Sequence, residues 1–308
     1  MDSIKLEIQG ILMLKLDEKK IRKGKPIGLP YQGSKKKISK KIVEIIKQNF
    51  GTTKPIYDIF GGGGAITAEC ILNGLEVYYN DLDKDITNAF ERVISQDLEW
   101  IKTLIVSRTE FFEIKAKENK TTDDFLKLLI NSFGNNKRGY LYSKETSDLK
   151  YNLAKEIIEN HDVFNGYKQT ETYKKAVERP KKPDQIGRLQ QFERLQQLQQ
   201  FRQIEKPNYM KVTNKSYQDF SKVSNAILYL DPPYEQTDQG SYINSFDSQE
   251  FYDWAFEIAK TNIVIISSHS ISDERFEAVY SFDKAHSKFR RGPSDKGKME
   301  KLFMVKNS

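Results

Sequence analysis

Asp231-Pro232-Pro233-Tyr234 is the stretch whose residue types point most directly to chemistry. It follows Ala226-Ile227-Leu228-Tyr229-Leu230, an apolar run that reads as a buried strand. Neither proline has an N–H to donate, and each restricts the residue before it, so together they stop the strand and stiffen the loop. The loop presents the carboxylate of Asp231, the unpaired carbonyl of Pro232 and the ring of Tyr234. The amino group of a nucleobase is a poor nucleophile because its lone pair is delocalised into the ring. Two acceptors aimed at its hydrogens localise that pair towards an electrophile. A base inside a duplex is out of reach, so such an enzyme must extrude it, and an aromatic face then replaces the lost stacking. Asp and Pro also favour turns for purely local reasons. What favours chemistry is position, at the end of a buried strand and downstream of a second motif.

That second motif is Asp58-Ile59-Phe60-Gly61-Gly62-Gly63-Gly64-Ala65, where a strand ends and a helix begins. A glycine run there lets the backbone turn sharply and approach a ligand, because no Cβ intervenes. Asp81 follows Gly61 by about 20 residues, the place from which a carboxylate grips the ribose hydroxyls of an adenosine-containing cofactor. Alone, this pairing fits either a nicotinamide dinucleotide or S-adenosylmethionine. The run is out of register with the dinucleotide spacing, and a sulfonium cofactor has no pyrophosphate for the helix N-terminus to bind, which favours the methyl donor.

Both motifs need strands to place them. Short apolar runs rich in Val, Ile and Tyr read as strands at Lys54–Ile59, Leu75–Tyr79, Tyr209–Thr213, Ala226–Leu230, Asn262–Ser267 and Leu302–Val305. Most are separated by helical patterns, among them Ala65–Asn73 with Gly74 as its stop. The expected fold is α/β, a Rossmann-like methyltransferase sheet with helices on both faces. The gap from Tyr79 to Tyr209 is far longer than a crossover needs and predicts a mostly helical insertion. Residues 1–100 and 208–308 would then form the domain that carries both motifs and 101–207 the insertion, which the family resemblance given below implies is the target-recognition insertion. Within the insertion, TTDDFLKLLINSF reads as a capped helix, NNKRGYLYSKETSDLKYN as a surface loop and VERPKKPDQIG as a linker. Leu189, Phe192, Leu195, Leu198, Phe201 and Ile204 recur at steps of three, as on one drifting helix face that packs.

The net charge is +7, from 50 Lys and Arg against 43 Asp and Glu, which favours a polyanionic partner. Asn136, Lys137, Arg138, Tyr140, Tyr142, Lys144 and Lys150 set cations and hydroxyl-bearing aromatics in the expected surface loop. Arg138 suits guanine O6 and N7, which a guanidinium binds together. Arg290 and Arg291, with Lys296 and Lys298, read as a phosphate clamp. No apolar run reaches the roughly 18 residues of a bilayer span, and the charged opening segment does not resemble a secretory signal. The single Cys70 excludes an internal disulfide, and three His residues (His161, His269, His286) are too few for a Cys/His zinc site. A cytoplasmic, monomeric protein that binds double-stranded DNA and needs no metal is the expectation.

With these motifs in this order the chain resembles the Dam family of DNA adenine-N6 methyltransferases, in which the cofactor motif precedes a recognition insertion and DPPY follows. The resemblance covers most of the chain. It implies transfer of a methyl group from S-adenosylmethionine to N6 of an extruded adenine, with Asp231, Pro232 and Tyr234 catalytic. It implies that Asp58, Phe60, Gly61, Gly63 and Asp81 bind the cofactor. Tyr31-Gln32-Gly33-Ser34-Lys35 is similar to the family's N-terminal segment, which implies that Tyr31 and Lys35 enclose the cofactor. DIFGGGGAI departs from the family motif at Ile59, where proline is usual. Asn131–Asn136 is similar to the stretch that opens the recognition region. The Asp219-Phe220 pair implies contacts to the cofactor's adenine. Tyr242 and Phe246 are placed beside the extruded base, whereas Phe251 and Trp254 suit core packing. Lys298 and Glu300 match family positions without an assigned role. A cognate restriction endonuclease is expected in a restriction-modification pair, and none for a solitary or phage-encoded enzyme. Cytosine N4 or an RNA adenine remains an alternative acceptor, and a non-catalytic DNA-binding protein on a degenerate methyltransferase fold an alternative class.

Overall fold

The computed structural model describes residues 13–31, 33–161, 163–178, 187–234, 246–282 and 299–306. Its strands are β1 (Ile56–Asp58), β2 (Val77–Asn80), β3 (Val212–Thr213), β4 (Ile227–Leu230), β5 (Ile263–Ser268), β6 (Phe276–Ser281) and β7 (Lys301–Val305). They form one sheet in the order β3-β2-β1-β4-β5-β7-β6, with β1 to β5 parallel and β7 antiparallel to both its neighbours. Helices α1 (Ser39–Phe50) and α2 (Ala65–Leu72) flank β1, α3 (Lys84–Ser95) follows β2, and α10 (Ser248–Ile258) lies between β4 and β5.

The pleat explains why helices cover both sides. Successive side chains of a strand point to opposite faces. Accordingly Ile227 and Tyr229 of β4 join one apolar cluster with Ile42, Ile46, Ala68 and Phe90 of α1 to α3. Leu228 and Leu230 join the other, with Phe251, Tyr252, Ala255 and Ile258 of α10. A strand buried on both faces is apolar throughout, which is why ILYL does not alternate. Helix α2 ends as its sequence predicts, with Gly74 in the left-handed region at φ +69° where a side chain would be strained.

Between β2 and β3 lie α3, α4 (Leu98–Lys102), α5 (Arg108–Ala116), α6 (Thr122–Asn131), α7 (Lys144–Asn160), α8 (Glu171–Glu178) and α9 (Gln190–Arg202). Thr121 caps α6 reciprocally with Asp124, satisfying N–H groups that the first turn leaves without partners. The six apolar residues spaced by three along α9 are all buried, and α9 packs on α3, α4 and α6. Phe201 meets Phe90 edge-on at 5.0 Å, and Phe90 stacks on Tyr79 of β2 at 4.2 Å. The helical region and the sheet therefore share one apolar core, while a smaller cluster around Phe111, Tyr140 and Tyr142 stands apart.

Two local features differ from the sequence expectation. Strand β6 was not anticipated, because a register shift between Ala278 and Tyr280 breaks its alternation. The expected surface loop ends at Ser143, and Lys144 onwards is helix α7. Residues 179–186 of the expected linker lie outside the described residues. Among the described residues, no helix is long and apolar enough to cross a membrane.

Candidate active site

Crossovers leave β1 and β4 in opposite directions, towards β2 on one side and β5 on the other. Parallel sheets open a crevice at such a switch point, beyond the carboxyl ends of the strands. Asp58 pairs in register with Tyr229, so the glycine run after β1 and Asp231 after β4 emerge side by side. Both line a single cavity of about 820 Å³.

On one wall the glycine run is folded tightly by its own backbone. Gly61 N–H donates to the Asn80 carbonyl and Leu29 N–H to the Gly63 carbonyl, each at 2.8 Å. A Cβ at Gly61 would fall 2.3 Å from the Tyr79 ring, so no larger residue fits there. Asp81 Oδ2 accepts from Gly62 N–H and Oδ1 from Asp83 N–H, both at 2.8 Å. Asp58 Oδ2 accepts from the Thr67 hydroxyl at 2.6 Å and from Thr67 N–H at 3.1 Å, tying the end of β1 to the first turn of α2. Burial pushes Asp58 up to about 7 and Asp81 up to about 6, and their hydrogen bonds offset part of that shift. Phe60 extends this wall, facing Tyr217 at 6.1 Å with the rings within 28° of parallel.

Opposite stands a charged corner. Lys35 Nζ donates to Asp231 Oδ1 at 2.6 Å and to the Tyr234 hydroxyl at 2.7 Å. Tyr234 Oη donates to Glu300 Oε2 at 2.9 Å, and Ser267 Oγ donates to Glu300 Oε1 at 2.8 Å. Burial pushes Asp231 up to about 6, with the Lys35 ammonium pulling it back down. Burial disfavours the Lys35 ammonium as well, yet attraction to Asp231 and Glu300 outweighs this and holds it above its ordinary value. Among the described residues, nothing donates to Asp231 Oδ2, which leaves that oxygen to a ligand. The corner can thus accept a hydrogen bond on a carboxylate while an aromatic ring stands beside it.

The third wall is the loop after α6. Asn135, Asn136, Lys137 and Arg138 line the cavity, with Arg138 exposed. Asn136 Oδ1 accepts from Arg138 N–H at 2.9 Å, and Lys137 N–H donates to Ser132 Oγ at 2.9 Å. Tyr31 and Lys35 line the cavity too, as do Gly61, Gly63, Pro232 and Phe246.

Several expected site residues lie elsewhere. Tyr140, expected to face DNA, is buried instead: its ring packs on Phe111 at 5.5 Å and its hydroxyl donates to the Val106 carbonyl at 2.8 Å. A tyrosine whose hydroxyl finds a carbonyl gains more from burying its ring than from solvent, and this one supports the loop from beneath. Asp219 is engaged in a reciprocal cap with Ser216, and Phe220 packs edge-on to Tyr57 at 6.1 Å. Neither lines the cavity, whereas Lys215, Ser216, Tyr217 and Gln218 do. Tyr242, Arg290 and Arg291 lie outside the described residues. Sequence reasoning missed Tyr217, Ser267 and the placement of Glu300. An aromatic just past β3 was the available signal for Tyr217, and nothing local marks the other two.

Against known families, the model described as D12 class N6 adenine-specific DNA methyltransferase matches residues 31–291. No curated protein matches the chain.

Proposed function

The chain belongs to the D12 class of N6 adenine-specific DNA methyltransferases, and we propose that it uses S-adenosylmethionine held at the glycine bend while Asp231 and Tyr234 present an extruded adenine. It is thus an enzyme whose substrate is DNA. The observation that carries the proposal is that one cavity joins the bend at Gly61–Gly63, the corner at Asp231 and the loop at Asn135–Arg138.

The residues suit this cofactor. Two carboxyls, Asp58 and Asp81, flank the bend, a setting that repels a pyrophosphate and suits a sulfonium cation. Asp81 is fixed by two backbone N–H groups and keeps further lone pairs for ribose hydroxyls. When bound, S-adenosylmethionine supplies an electrophilic methyl group. Tyr31 and Phe60 give the pocket apolar walls that exclude water.

Asp231 and the Pro232 carbonyl draw on the hydrogens of the adenine amine and localise its lone pair. With a pKa near 6, Asp231 is ionised at neutral pH and accepts a proton more readily than an exposed aspartate. Tyr234 carries the base, and Lys35 steadies both. Residues 101–207 serve as the target-recognition insertion, with Asn136, Lys137 and Arg138 facing DNA. We further propose a monomer acting in the cytoplasm, with a cognate restriction endonuclease as partner only in a restriction-modification setting.

Titration with S-adenosylmethionine tests the cofactor assignment. Asp81→Ala is expected to weaken binding by about tenfold or more, the worth of a lost charge-assisted hydrogen bond. Asp231→Ala is expected to bind within about threefold of the wild type. Unchanged affinity in Asp81→Ala contradicts the assignment.

A further inference from the structure

Glu300 directly precedes β7, and β7 runs antiparallel to β5 with Ser267 opposite Leu302 and Ser268 opposite Lys301. The start of β7 therefore reaches the carboxyl end of β5, the edge at which the parallel strands open into the cavity. Glu300 does not line that cavity. It stands behind Tyr234, and its carboxylate gathers the groups around the corner. Oε2 accepts from Tyr234 and Oε1 from Ser267, Lys35 Nζ lies 3.7 Å from Oε1, and His269 Nδ1 lies 3.9 Å from Oε2. The His269 ring also packs against the Tyr234 ring at 4.5 Å.

Two consequences follow. The ring torsion of a tyrosine is broad, so packing about Cβ alone does not fix the plane of the ring. The Tyr234 hydroxyl accepts from Lys35 and donates to Glu300, which fixes that plane from its far end. Lys35 in turn lies between two carboxylates. Glu300 thereby shares the cation that would otherwise bind Asp231 alone and occupy the oxygens meant for the substrate amine.

We propose that Glu300 is a positioning residue for methyl transfer, acting through Tyr234 and Lys35 to set the plane that carries the extruded base and to keep the Asp231 carboxylate available. This rests on the reading of Asp231 and Tyr234 given above.

Single-turnover methylation at saturating DNA and S-adenosylmethionine tests it, alongside binding measurements with each. Glu300→Ala is expected to lower the rate by about 10²-fold, the scale of a misplacement near 1 Å, while both affinities stay within about threefold. Glu300→Gln keeps an acceptor for the Tyr234 hydroxyl and is expected to recover to within about tenfold of the wild type. In a Tyr234→Phe background the hydroxyl link is already gone, so Glu300→Ala should cost clearly less than in the wild type, the remaining loss coming through Lys35. A duplex with 2-aminopurine at the target adds a spectroscopic readout. Its extruded base is expected to fluoresce more strongly in Glu300→Ala, where the ring beneath it is loose.

Should Glu300→Ala not fold, Glu300→Asp, which keeps the charge and shortens the reach by one carbon, is expected to show the same split between rate and affinity. A wild-type rate in these variants, losses that simply multiply with Tyr234→Phe, or an equal loss of cofactor binding overturns the proposal. Asp231→Ala assayed beside them separates the two readings. Its inactivity next to a fully active Glu300→Ala overturns the role of Glu300 alone, whereas an active Asp231→Ala overturns both.

Discussion

The Asp231 corner and the loop after α6 line the same cavity but are held in opposite ways. The corner stands on strand ends, and its side chains are tied by charge: one ammonium is shared by two carboxylates and a phenol. The loop is held through neutral acceptors, which take hydrogen bonds from a buried guanidinium and an amide beneath it. Arg194 of α9, which has no carboxylate partner among the described residues, donates to the carbonyls of Ile130 and Ser132, the latter at 2.7 Å and 62 residues earlier in the chain. Gln191 donates to the Asn131 side chain and, at 3.4 Å, to the Tyr140 hydroxyl. Burial pushes the Arg194 guanidinium down to about 10. Gly134 takes a positive φ freely, but Asn135 and Lys137 also adopt positive φ, of 57° and 62°, which costs a residue with a side chain and is held here by the surroundings. The lesson is that the corner rests on strand-end topology, whereas the loop proposed to face DNA rests on a buried brace behind it.

The comparison breaks most easily at that brace. Arg194→Met removes the guanidinium donor from the carbonyls of Ile130 and Ser132, of which Ser132 still accepts from Asn135 N–H at 3.3 Å, and is expected to destabilise the protein by about 1–3 kcal/mol. With the loop no longer pre-organised, DNA affinity should fall on the order of a hundredfold while S-adenosylmethionine binds as before. Fluorescence anisotropy and calorimetry measure the two, and a parallel loss of both would erase the distinction between the regions.

A change of pH acts instead on the buried carboxyls of the glycine wall and the corner. Asp58, at about 7, and Asp81 and Asp231, at about 6, all titrate above the roughly 3.9 of an unfolded aspartate. Folding raises their proton affinity, so the stability they contribute is present below about pH 4 and is lost as pH rises through 6 to 7. With Asp231 in its proposed role as a carboxylate, turnover runs the other way and should drop about tenfold per unit below pH 6. The thermal midpoint is thus expected to be higher at pH 5.5 than at 7.5 while the single-turnover rate is lower. Rate and midpoint falling together on acidification would contradict this assignment.

The smallest effect belongs to Lys137, whose Nζ lies 4.3 Å from the Phe125 ring centroid. Lys137→Ala removes a cation–π contact worth about 0.5–1 kcal/mol and should weaken DNA binding only about threefold. If the side chain also meets a phosphate, the salt dependence of binding should become shallower by about one unit of slope.

The same contrast governs what the sequence discloses. The strand ends at Asp58, Asp81 and Asp231 are legible because a motif announces each, and an apolar run before it says where the strand stops. The packed face of α9 is legible because its spacing is periodic. Glu300 is not, since its proximity to Tyr234 arises from an antiparallel return that no local pattern encodes. Tyr140 misleads for a related reason: a tyrosine among basic residues looks exposed until a carbonyl such as that of Val106 is brought to its hydroxyl. Arg194 and Gln191 sit among polar residues on a helix whose apolar face is obvious. Their burial becomes visible only when that helix is placed against α6.

Asp231→Asn tests the central claim most directly, because it keeps the shape of the side chain and removes its charge. The measurement is the single-turnover rate of N6-methyladenine formation in a duplex, with digested nucleosides resolved by mass spectrometry. A fall on the order of 10³-fold, with S-adenosylmethionine and DNA bound as tightly as by the wild type, is the expected result. Methylation of adenine by Asp231→Asn at the wild-type rate would contradict it.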